Sequence, residues 1–102
     1  MAIPFVSIEL DRVYNLRFGM GAQVEFEQVT GINCTQIEEN ASITTYAKVL
    51  WIMLRRDTKE LTFEQVLDLV DNYALNETYV IEKVAEAIQA AFEVKEDTVK
   101  NK

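Results

Sequence analysis

The stretch Ser42–Arg56, SITTYAKVLWIMLRR, most constrains what this chain can fold into. Leu50, Trp51, Ile52, Met53 and Leu54 follow one another without a polar break, and Trp51 is the only tryptophan. A helix that is apolar on most of its circumference is buried on most of it. The run is far shorter than the ~20 residues that span a bilayer. The expectation is a central helix with the rest of the chain wrapped against it.

What surrounds it fits a single domain. The chain has 102 residues, enough for one core and too few for two. Hydrophobic residues make up 49% and charged residues 26%, the balance of a folded globular protein. We expect one domain over residues 1–92 and a flexible charged tail over 93–102, where the pattern becomes aperiodic.

Ahead of the central helix, Val6, Ile8 and Leu10 alternate with Phe5, Ser7 and Glu9. Val13–Phe18 alternates likewise, with Tyr14, Leu16 and Phe18 on one side. Period two with β-branched residues predicts two strands, Phe5–Leu10 and Val13–Phe18, turning at Asp11-Arg12. An isolated hairpin is marginal in water, so its apolar face must lie on helices. Gly19-Met20-Gly21 ends the second strand. A helix with apolar Ala22, Val24, Phe26 and Val29 runs to about Thr30, and Gly31 is suited to the left-handed C-terminal position. Ile32–Ala41 has no clear period and reads as a connection with one helical turn near Thr35–Glu38. Asn40 or Ser42 then caps the central helix.

Behind it, Thr62-Phe63-Glu64-Gln65 spells a capping box, the clearest local signal in the chain. The helix it opens carries Phe63, Val66, Leu67, Val70 and Tyr73 on one face. Asn76 caps a last helix, Glu77–Phe92, with apolar Val80, Ile81, Val84, Ala85, Ile88, Ala91 and Phe92. The fold class is α+β: an N-terminal β-hairpin packed on a mainly four-helix body.

The chemistry is narrower than the fold. The chain has no histidine, which removes Ser-His-Asp and Cys-His catalysis and the commonest metal ligand. Cys34 is the only cysteine, so neither an intrachain disulfide nor a cysteine zinc site is expected. Gly19-Met20-Gly21 lacks the spacing of a phosphate-binding loop. The net charge of −7 and the absence of a basic cluster argue against nucleic acid. MAIPFVSIELD has neither a basic n-region nor a long apolar core, so no secretory signal is expected. No catalytic residue, cofactor or metal is predicted. What remains is protein binding by an apolar groove beside the central helix. The exposed parts of Met20, Tyr46, Trp51, Met53 and Tyr79 are its candidate contacts.

Three words fix a resemblance. LRFGMGAQVEFEQVTG (Leu16–Gly31), VLWIMLRRDTKELTFEQVLDLVD (Val49–Asp71) and IEKVAEAIQAAF (Ile81–Phe92), in this order, resemble the tail assembly chaperones of long-tailed phages. That group includes gene-transfer-agent and related prophage proteins. In it a strand pair leads to a helix ending in Thr-Gly, here Thr30-Gly31. A Leu-Trp-x-x-Leu-Arg segment follows, here Leu50-Trp51 and Leu54-Arg55. After a polar loop comes a helix with the pattern of Leu61-Thr62, Glu64, Val66 and Asp68-Leu69-Val70. The chain departs from it at Arg56, where many members carry histidine, and at Gly19, where the family has an acidic residue.

The resemblance implies a non-catalytic role in the host bacterial cytoplasm. Such a chaperone binds and solubilises the tape measure protein, and a longer frameshifted form engages the tail tube protein. Self-association is compatible with that role, nucleic acid and membrane are not partners, and the mature virion does not retain the protein. The competing expectation is a structural tail or head–tail connector subunit that the virion does retain.

Overall fold

A computed structural model describes residues 3–100 of the chain and the side chains of residues 3–92. Its centre is a helix over Ile43–Arg55. In chain order the elements are β1 (Val6–Glu9), β2 (Val13–Leu16), α1 (Met20–Thr30), α2 (Ile43–Arg55), α3 (Phe63–Tyr73) and α4 (Glu77–Lys100). Two short 3-10 turns, Cys34–Gln36 and Glu38–Asn40, join α1 to α2. The architecture is α+β, with the hairpin packed on a four-helix body.

α2 starts where a serine side chain replaces a missing backbone acceptor. Ser42 Oγ accepts from the Thr45 N–H at 3.1 Å. Buried Thr45 donates its own hydroxyl to the Asn40 carbonyl at 2.9 Å, so its buried oxygen is paired. Val49, Leu50 and Ile52 are fully buried, and Met53 and Leu54 nearly so. α2 packs against α1, α3, α4 and β2, as its apolar circumference requires. Arg55 in its last turn favours the negative end of the helix dipole.

The strands pair antiparallel within one chain: Val6 faces Leu16, Ser7 faces Asn15, Ile8 faces Tyr14 and Glu9 faces Val13. The alternation expected from the sequence sets the inner face, with Ile8, Leu16 and Phe18 fully buried and Leu10 nearly so. Both strands are shorter than expected. Leu10 belongs to the turn, its N–H donating to the Arg12 carbonyl at 2.9 Å, and Phe18 lies beyond the last paired residue. Phe18 meets Phe26 of α1 edge to face, with ring centroids 6.2 Å apart. That contact joins the hairpin layer to the helices.

α1 buries Ala22 and Phe26 but leaves Val24 and Val29 exposed, because only one stripe of this short helix faces α2. It ends at Gly31, whose φ of 73° is left-handed and whose N–H returns to the Glu27 carbonyl. α3 opens with the complete capping box: Thr62 Oγ1 accepts from the Gln65 N–H, and Gln65 Oε1 accepts from the Thr62 N–H. Asn76 Oδ1 accepts from the Tyr79 N–H at 2.7 Å at the start of α4. This last helix runs past Phe92 to Lys100, since no glycine or proline stops it. The helix end at Phe92 is therefore corrected. The side chains of the expected 93–102 tail, and residues 101 and 102, lie outside the described residues.

Candidate functional site

The five residues expected at a binding surface are dispersed, and intramolecular contacts engage several of them. Trp51 is half-buried. Its indole N–H donates to the Leu61 carbonyl at 2.9 Å, its ring packs on Phe63, and the Arg55 guanidinium covers it. This tryptophan pins the loop between α2 and α3. Tyr79 is also half-buried, and its hydroxyl accepts the Glu9 N–H at 3.0 Å, fastening α4 to β1. Both are amphipathic rings whose polar end has found a backbone partner.

Met53 has almost no exposed surface, so the exposed part expected of it is absent. Its position on α2 turns it toward the hairpin, where it floors a hollow lined by Phe5, Arg17, Met20 and Arg56. Met20 stands at the rim of that hollow, 76% exposed. The arginines there are already occupied: Arg17 lies over the Phe5 ring, and Arg56 reaches Glu25 at 3.5 Å.

Tyr46 belongs to a different surface, a small apolar groove. α2 contributes Ile43, Tyr46, Ala47 and Leu50 to it; α3 contributes Leu67 and Val70; α4 contributes Val80 and Ile81. Val66 lies in it fully buried, while Ile43 is 65% and Leu67 38% exposed. The groove holds about 100 Å³. Among the described residues its only charged lining groups are Asp71 and Glu77. Sequence reasoning found Tyr46 but missed Ile43, Leu67 and Ile81 as companions. The apolar face of α3 was legible, but its incomplete cover was not.

Cys34 carries the only thiol of the chain. The residue is buried, and its thiol is directed at the Gln23 carbonyl, 3.4 Å away. Burial, reinforced by the Glu27 carboxylate, pushes the thiol up to about 11. At neutral pH it is protonated and a poor nucleophile. Among the described residues no group of three or more histidine, cysteine, aspartate or glutamate side chains is placed to hold a metal ion. Among the same residues no helix is long and apolar enough to cross a membrane.

No protein-family model, curated protein or solved structure gives a significant match to the chain.

Proposed function

We propose that this chain is a non-catalytic tail assembly chaperone of a long-tailed phage or prophage, binding the tape measure protein and keeping it soluble while the tail is built. The observation that supports this reading is the open apolar groove between α2, α3 and α4 on a domain of net charge −7. A long helical partner carries apolar faces that aggregate until the tail tube covers them. A groove of this kind shields such a face, and the acidic exterior keeps the complex apart from its neighbours. Many weakly bound copies along one filament hold it collectively yet leave one at a time.

On this reading the protein acts in the host bacterial cytoplasm and is absent from the mature virion. A longer frameshifted form, where one is made, bridges to the tail tube protein. The test is co-expression with the tape measure protein of the same genome, followed by size-exclusion chromatography with light scattering. The expected result is a soluble complex containing several copies of this chain. A tape measure protein that stays insoluble, with this chain eluting alone, rejects the reading and turns attention to a retained virion subunit.

A further inference from the structure

We propose that the groove between α2, α3 and α4 selects a cationic amphipathic helix: one aliphatic anchor seated between Tyr46, Leu67 and Ile81, with lysine or arginine flanking it. The inference rests on the reading of this groove as a protein-binding site and adds the chemistry of its occupant.

The volume sets the scale of the anchor. A dry apolar cavity of about 150 Å³ takes one benzene ring. A groove of about 100 Å³ therefore seats one branched aliphatic side chain, with the rest of the ligand above the rim. The walls set the ligand's backbone form. All three are helices, and no strand edge lines the groove. An extended segment laid there would leave backbone N–H and C=O groups facing apolar side chains without partners. A helix satisfies its own backbone and presents only side chains.

Charge sets the flanks. Asp71 closes the groove from α3 and Glu77 from α4. Neither joins an ion pair among the described residues. Two carboxylates without a cationic side-chain partner among these residues, set at an apolar mouth, attract lysine or arginine and repel an acidic segment, giving selectivity as well as affinity.

The test uses the full chain and two capped synthetic helical peptides labelled with fluorescein. One carries a single leucine anchor on its apolar face, flanked by lysines; its twin has glutamate at each lysine position. Fluorescence anisotropy at low salt measures binding, and methyl NMR locates it. The lysine peptide is expected to bind about tenfold more tightly than its twin or better, with shifts at Leu67, Val70 and Ile81. The double variant Asp71→Asn, Glu77→Gln, at exposed positions, is expected to weaken the lysine peptide about three- to tenfold and erase most of the preference. Leu67→Ser is expected to weaken both peptides alike.

Equal binding of the twins overturns the proposal. So does no binding of the lysine peptide at millimolar concentration, or shifts centred on Met20 and Val24 instead. The outcome is separable from the chaperone reading. A soluble tape measure complex without peptide binding at the groove rejects this inference alone, whereas charge-selective peptide binding beside an insoluble tape measure protein rejects the chaperone role alone.

Discussion

The guanidinium of Arg56 occupies space that only a glycine at position 21 leaves open. A Cβ built on Gly21 would stand 2.5 Å from Arg56 Nη2 and 2.9 Å from its Cζ. From that position Arg56 reaches one oxygen of Glu25, while Arg55 holds the other at 3.0 Å. Glycine in the first turn of α1 thus lets the end of α2 lie against α1.

Gly21→Ala sets two effects against each other. Alanine improves helix propensity by up to about 1 kcal/mol. It also displaces Arg56, whose partly exposed pair with Glu25 is worth about 0–1 kcal/mol. The displaced atoms are the far end of a flexible side chain, so the core need not move. The expected outcome in urea denaturation is stability unchanged or raised by about 0.5 kcal/mol. A loss above about 2 kcal/mol would mean that Arg56 cannot swing away.

Trp51 separates packing from hydrogen bonding. Trp51→Phe keeps an aromatic ring near Phe63 but leaves the Leu61 carbonyl without its indole donor. It is expected to cost about 1–3 kcal/mol. Trp51→Ala also removes the ring and is expected to cost about 3–5 kcal/mol. Circular dichroism during denaturation measures both, since the tryptophan signal is lost. A Trp51→Phe variant as stable as the natural chain would show that the indole N–H contributes nothing separate, and equal costs for the two variants would show that the ring adds nothing beyond it.

Tyr79→Phe tests the clasp between α4 and β1. The change removes one oxygen and leaves the Glu9 N–H without its acceptor. The expected cost is about 1 kcal/mol, with amide exchange at Glu9 accelerating more than exchange in the middle of α2. Unchanged protection of Glu9 would show that the hydroxyl contact does not persist in solution.

Cys34 gives the fold an alkaline limit. The folded thiol is raised from 9.0 to about 11, so folding favours its protonated form. By linkage, that contribution is fully present below pH 9 and is lost as pH rises from 9 to about 11. Tyr14 is raised from 10.0, chiefly by burial and next by its hydrogen bond to Asp11, and it contributes with the same sign. The stability difference between the natural chain and Cys34→Ala therefore isolates the thiol. That difference is expected to shrink above pH 9, and a pH-independent difference would contradict the assignment. Iodoacetamide is also expected to modify native Cys34 far more slowly than unfolded chain at pH 8.

How much could be read beforehand depends on how local the cause is. The inward faces of Ile8 and Leu16 follow from alternation alone, and the Thr62–Gln65 box needs only four consecutive residues. Ile37 is nearly fully buried, yet it lies between two 3-10 turns with no repeating pattern to reveal it. For α3 the spacing gave the apolar face but not the extent of its cover. Val66 is fully buried, whereas Leu67 and Tyr73 are exposed, because the helix lies at one side of the domain against α2. The candidate surface was legible only at Tyr46. Trp51 and Tyr79 stood out as large amphipathic rings, but their polar ends bind backbone groups from distant elements, a choice that no nearby residue encodes.

The position of α2 has a consequence for how substitutions combine. The principal helical partner of α1, of α3 and of α4 is α2, with α4 also resting on β1. A change in one outer helix therefore reaches another mainly through a shared neighbour, and well-separated changes on different outer helices should add in free energy. Pairs that include Val49, Leu50 or Ile52 should not, because each is packed in the element that the outer helices have in common. Double-mutant cycles would thus divide this small chain into separable outer elements and one inseparable axle.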